Sequence, residues 1–230
     1  MDLLKLISLA IAPVFAVIIY VYYRDKYDKE PLILLVKLFF WGCLSVIPAI
    51  ILEKIAGNIF MSVPYSLYSV ALLAFVGIGF SEEFSKFIFV KYFAYKSPHF
   101  NEPFDGIVYS VMVSMGFAAV ENIMYVLKGG YTVGWLRMFT AVPAHACFGI
   151  LMGYYFGIAK FSGSLKWLFL LNGLILAAIL HGAYDYFLIL RDYEGLAIFS
   201  MITLLISILF SFKAMKKLKN KSPFNSWKIK

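Results

Sequence analysis

Charge is scarce in this sequence. Asp, Glu, Lys and Arg together make up 15% of the residues, and acids are scarcer than bases, 13 against 21. An ordinary soluble domain carries roughly a quarter charged residues. This shortage excludes a globular protein with a solvated surface. With 62% hydrophobic residues and a mean hydropathy of +0.83, it leaves a polytopic membrane protein. Cysteine is nearly absent too. Cys43 and Cys147 both fall in apolar stretches at no metal-motif spacing, which excludes a disulfide framework and a cysteine-held zinc. No internal repeat and no low-complexity stretch occurs, so the inverted repeats of many transporters are missing. HExxH is absent, and with it the usual zinc metalloprotease helix. An aspartyl GxGD pattern is absent as well: "GIGF" places Phe80 where aspartate would be needed, although "AYDYF" occurs at 183–187. The "FSGS" at 161–164 sits in a basic loop far from the histidines and resembles a serine nucleophile turn only superficially.

Long apolar runs are what the chain has in place of charge. Runs of about 20 residues cross a bilayer as helices, and they fall at 3–23, 32–52, 67–92, 104–127, 136–159, 165–190 and 195–213. The first run is too long for a signal-peptide core and lacks a clear cleavage site, so it reads as a span. The expectation is an all-α bundle of about seven transmembrane helices, with one helical domain over 1–213 and a basic tail over 214–230. Segment 53–66 reads as interfacial, and "KGGYTVG" at 128–134 and "RDYE" at 191–194 read as connections. Loops 24–31, 93–103 and 160–166 and the tail counted from Lys213 carry three, one, two and seven basic residues. Lys5, Lys54, Lys128, Arg137 and Arg191 fall on the other side. The bias places the N-terminus outside and the lysine-rich tail in the cytoplasm against anionic lipid. A nucleic-acid patch finds no support, because no folded domain would carry it.

The few ionisable residues inside the spans are functional candidates, since each costs roughly 2.5–3.5 kcal/mol to insert. The third span holds Glu82, Glu83 and Lys86. Lys86 is four residues from one glutamate and three from the other, so both pairings are open on one helix. The fourth holds Glu121 and Asn122, the fifth His145, and the sixth His181 and Asp185, again four apart. Tracing each span from its expected entry side puts these groups in one layer between the midplane and the outer surface. Small residues beside them (Gly77 and Gly79, Gly116, Gly149, Gly182) would let the helices approach closely. A desolvated glutamate suits general acid–base work, and a carboxylate with two histidines could hold a metal. Glu82, His145 and His181 are the candidate ligands, and a divalent ion such as zinc is one option. The reading is a hydrolase that activates water through a glutamate. A proton-coupled transporter and a non-catalytic membrane scaffold stand as alternatives.

The motifs "SEEFSK" (81–86), "GFAAVENIMY" (116–125), "HACFGILMGYY" (145–155) and "HGAYDYF" (181–187) resemble those of the PrsW family. So do "IAP" (11–13), "YDKEP" (27–31) and "FDGIVY" (104–109). The resemblance covers nearly the whole chain, in order and with matching spacing. It implies a multi-pass intramembrane protease of the bacterial cell membrane that makes the first, site-one cut in a membrane-spanning anti-sigma factor. It also implies roles. Glu82 would be the water-activating base, with Glu83 beside it and Lys86 as the family's basic residue. His181 and Asp185 would stabilise the oxyanion, as in the distantly similar CAAX prenyl proteases, and His145 and Glu121 would complete the site. Glu121 departs from the CAAX pattern, where a histidine stands.

Overall fold

A chain with so few polar side chains can bury its backbone in lipid only as helix, and helix is what forms. The structure, a computed structural model, describes residues 2–60, 62, 64–190 and 195–225. Among them there is no strand. The helices are α1 (Leu3–Arg24), α2 (Leu32–Phe60), α3 (Leu67–Leu72), α4 (Ser81–Phe93), α5 (Asp105–Phe139), α6 (Ala141–Lys160), α7 (Lys166–Ile189) and α8 (Ala197–Lys219). A π-helical stretch, Leu73–Phe80, joins α3 to α4, so the three form one continuous span.

Six segments of the described chain are long and apolar enough to cross a bilayer. One of them, Asp105–Lys160, has 56 residues and doubles back on itself. Gly106 near its start packs against Gly157 near its end, and Ser114 Oγ donates to the His145 carbonyl at 2.7 Å. That segment therefore makes two passes, and the bundle makes seven. It is also the centre of the molecule. Its most apolar window is 78% buried, against 28–44% for the other spans. Around it, Phe15, Phe40, Ile47, Trp167 and Ile175 are exposed on the outside of the bundle, where lipid would lie.

Three boundaries differ from the sequence reading. Helix α2 runs on to Phe60 instead of ending at 52, because nothing between breaks it. The chain then re-enters at Ser66, whose Oγ accepts from Ser69 N while Ser69 Oγ accepts from Ser66 N, a reciprocal cap. The expected connection 128–134 is helical on both sides of a kink at Gly130, where φ is +67°. Only glycine adopts that conformation without strain. Last, α8 continues through Lys219, so the basic run begins on a helix. The "RDYE" connection and residues 226–230 lie outside the described residues.

The two ends of the bundle are distinct. Loop 25–31, loop 94–104 and the segment after α8 meet at one end, where Asn101 Nδ2 donates to Asp28 at 2.8 Å and Glu102 lies beside Asp25 and Ser222. At the other end Leu6 and Ala10 of α1 pack on Val126.

Candidate active site

Glu82 and Glu83 open α4, directly after the π-helical stretch. Such wide turns are uncommon and often sit at functional sites. This one carries Gly79 against Gly182 of α7. A methyl group at Gly79 would lie 2.7 Å from the Gly182 nitrogen and 2.9 Å from the Ala178 carbonyl oxygen. The absent side chain is what brings α4 close enough for its glutamates to meet His181.

They do meet. Glu82, Glu83, His145 and His181 are all buried and each offers a ligand atom within 4.8 Å of the others. Lys86 joins them rather than pairing with a single glutamate. Its Nζ donates to Glu83 Oε1 at 2.7 Å, to Glu82 Oε2 at 3.1 Å and to His145 Nδ1 at 3.1 Å. An ammonium has three N–H groups, and all three are used. This is how three ionisable side chains persist in the core of a membrane bundle. Removing one partner of such a buried set typically costs about 3–5 kcal/mol.

Each histidine has a carboxylate behind it. His145 Nε2 donates to Glu121 Oε2 at 2.7 Å, which leaves Nδ1 with its lone pair turned to the centre. His181 Nε2 lies 3.3 Å from Asp185 Oδ2 and 3.8 Å from Glu82 Oε2, while Nδ1 lies 2.9 Å from Glu83 Oε1. The ring of Phe148 stacks on His181 at 4.9 Å. In both histidines the outer nitrogen is held by a carboxylate, the arrangement that orients metal-ligating imidazoles. Glu121 needs no proton to take part, since both its partners, His145 and Arg137, donate to it.

Arg137 was not legible as a site residue. In the sequence reading it lies at the outer edge of the 136–159 span and counts only as a charge of the outer side. The kink at Gly130 folds it back sixteen residues, so that Nη2 donates to Glu121 Oε2 and Nε to Asn122 Oδ1, each at 2.7 Å. Asn122 turns away from the centre, with Nδ2 donating to the Ala10 carbonyl at 2.7 Å, and ties α5 to α1. Glu53, read as interfacial, lies in the wall of the site's cavity because α2 continues as helix. That cavity has a volume of about 380 Å³ and reaches from Glu82, His145 and His181 to Lys128 and Met201. Glu83 does not line it.

The donor set fits a divalent metal. Two carboxylates and two imidazoles are a borderline set of the kind zinc takes. Glu83 Oε2 is buried without a hydrogen-bond partner, a group an ion could satisfy.

Fold and centre together define a multi-pass membrane protein with a carboxylate–histidine centre inside its bundle. Residues 30–212 match the family described as PrsW family intramembrane metalloprotease, and the chain belongs to that family. A relative named Protease PrsW from Geobacillus kaustophilus is 37% identical over 191 residues, 83% of each chain. The Protease PrsW of Shouchella clausii is 37% identical over 224 residues, covering 96% of this chain and 99% of that one. Its counterpart in Clostridioides difficile is 31% identical over 227 residues, covering 95% and 93%. No solved structure matches the chain. The protein is thus an intramembrane peptidase of a bacterial membrane, acting on a protein substrate there. The transporter and scaffold readings fall away.

Proposed function

We propose that the protein makes the first cut in a single-span membrane protein of the anti-sigma factor class, by water activated at Glu82. The observation that carries this reading is the convergence of Glu82, Glu83, His145 and His181 from three helices onto one buried point. Their separation in the sequence makes a local explanation impossible. The substrate class rests on the resemblance of the motifs.

Roles follow from what each side chain faces. Glu82 lines the cavity and Glu83 does not. Glu82 is therefore placed to meet water and substrate, and to take a proton from the attacking water and pass it to the leaving amine. Glu83, His145 through Nδ1 and His181 through Nδ1 would hold the metal. A divalent ion held there would supply Lewis acidity toward the scissile carbonyl and the attacking water. Glu121 and Asp185 fix the two imidazoles from behind, and Arg137 holds Glu121. The apolar walls of the cavity, Val46, Ile78 and Phe117 among them, lower the local dielectric and strengthen every charge interaction inside.

The test is cleavage of a single-span substrate in membranes at matched protein levels. Glu82→Gln keeps the shape of the side chain and removes the base. Its rate is expected to drop about 10²–10⁴-fold, the usual contribution of general base catalysis. Chelation is expected to stop the wild-type reaction and added zinc to restore it. Near-wild-type cleavage by Glu82→Gln would refute the assignment.

A further inference from the structure

Two of the three side chains that would hold a metal, Glu83 and His145, already hold a cation, and Glu82 is its third partner. Lys86 Nζ stands 2.7 Å from Glu83 Oε1, 3.1 Å from His145 Nδ1 and 3.1 Å from Glu82 Oε2. His181 Nδ1 lies 2.9 Å from the same Glu83 oxygen. Zinc binds such donors at about 2.0–2.2 Å, so any ion shared by these groups must enter the volume that the ammonium fills. An ion and the ammonium sharing donors that lie within 4.8 Å of one another would repel each other severely in a buried site.

A packing role does not account for this lysine. Lys86, Glu82 and Glu83 belong to one helix, at i,i+4 and i,i+3, so their ion pairs tie no two helices together. Two contacts cross between helices, one to the face of the Phe117 ring and one to His145 Nδ1, the very atom a metal would use. Lys86 also has somewhere to go. Its Nζ lies 4.0 Å from the centre of the Phe117 ring, and Phe117 lines the cavity. A lysine head on a flexible four-carbon stem can keep that cation–π contact while leaving the donors.

We propose that Lys86 is an internal competitor for the metal. It occupies the cation position of the Glu82–Glu83–His145 set, keeps the four groups gathered before metal arrives, and swings toward Phe117 when metal binds. This rests on the metallopeptidase reading. It adds that metal affinity is set by an exchange of one cation for another, not by filling an idle cage.

The experiment compares the purified full-length protein, in detergent and stripped of metal, with its Lys86→Met and Lys86→Arg variants. Zinc affinity is read by competition with a chromophoric chelator, and thermal unfolding is followed with and without zinc. Lys86→Met is expected to bind zinc at least about tenfold tighter than wild type. Its metal-free form should melt lower, and zinc should raise its melting temperature by more than it raises that of wild type. Lys86→Arg, which keeps the charge, should show no gain in affinity. If Lys86→Met accumulates only when zinc is supplied during expression, that too supports the exchange, because the site then depends on one cation or the other. Zinc affinity equal to or weaker than wild type, or failure to accumulate even with zinc, would overturn it. If neither the wild type nor Lys86→Met binds zinc at all, the metallopeptidase reading itself is defeated, a separate result.

Discussion

At the residue scale, the buried acids form two groups with opposite surroundings. Those in the membrane interior are met by Lys86, Arg137 and two histidines. Those at the far end of the bundle are not. Asp25, Glu30, Glu102 and Asp105 are all nearly inaccessible to solvent, and none has a Lys, Arg or His within ion-pair distance among the described residues. Burial first, and then the neighbouring Glu102, pushes the Asp25 carboxyl up from 3.8 to about 7, against a smaller pull from Lys29. Burial raises Glu30 and Glu102 in the same direction. An acid with a higher pKa folded than unfolded holds its proton longer in the folded state. The folded state then binds more protons than the unfolded one between roughly pH 4 and 7, so stability falls as pH rises through that window and levels off above it. Melting temperature in detergent should therefore decline from pH 4.5 to 7.5 at constant salt, and Asp25→Asn should flatten part of the decline. A rise over this range would contradict the assignment. None of this was legible as a cluster. "YDKEP" and "FDGIVY" stand out as motifs, but nothing local says that two loops seventy residues apart share their carboxyls. Glu82, Glu83 and Lys86, and His181 with Asp185, were legible because helical spacing of three and four fixes those neighbours.

At the scale of elements, the seven passes follow from hydrophobic length alone, and the errors fall where length is silent. A run of apolar residues does not say whether the next polar stretch leaves the helix. Hence α2 was cut short at 52, which lost Glu53 from the site, and the turn at Gly130 was drawn as a loop, which hid that Arg137 at the edge of the next span folds back onto Glu121. Close approach between elements is similarly invisible until the backbone is placed. Small residues near the glutamates suggested it, and the structure selects Gly79 and Gly182 as the pair that carries it. Gly79→Val would drive a branched side chain into the α7 backbone, part α4 from α7 and pull the glutamates away from His181. Since displacement by about 1 Å can cost 10²-fold in rate, cleavage should fall at least tenfold with the protein still inserted. Gly77→Ala is the matching control. Its methyl would meet side-chain atoms at 3.1 Å and beyond, which can give way, so activity should stay within a few-fold of wild type. Equal activity in both variants would show that the α4–α7 contact does not set the site.

At the scale of the whole molecule, the bundle is polar along its axis, and sidedness decides where a substrate is cut. The N-terminal turns of α1, the Gly130 kink, Arg137 and the open part of the cavity lie toward one end. The four buried carboxyls that have no ion pair among the described residues, the loops 24–31, 93–103 and 160–166 and the segment after α8 lie at the other. If the excess of lysine and arginine puts that second end in the cytoplasm, as the positive-inside rule expects, the cavity opens toward the outside, where water is nearest to Glu82. A cysteine added at position 2 of a cysteine-free protein should then react with an impermeant reagent on whole cells, and one placed at 221 should not. A substrate helix hides its carbonyls in internal hydrogen bonds and must unwind before water can attack. Unwinding is cheapest at a helix end, where the terminal groups have no partner within the helix. The cut is therefore expected at or just beyond the outer end of a single-span substrate. His181→Ala should abolish it, because the centre loses both a nitrogen donor and the group that Asp185 holds. A loss of about 3–4 kcal/mol, the scale of one removed oxyanion donor, corresponds to a rate decrease of several hundredfold. Mass spectrometry of the product ends decides the position. Product ends in the cytoplasmic half of the span, or unchanged cleavage by His181→Ala, would mean that the buried centre is not where the peptide bond is broken.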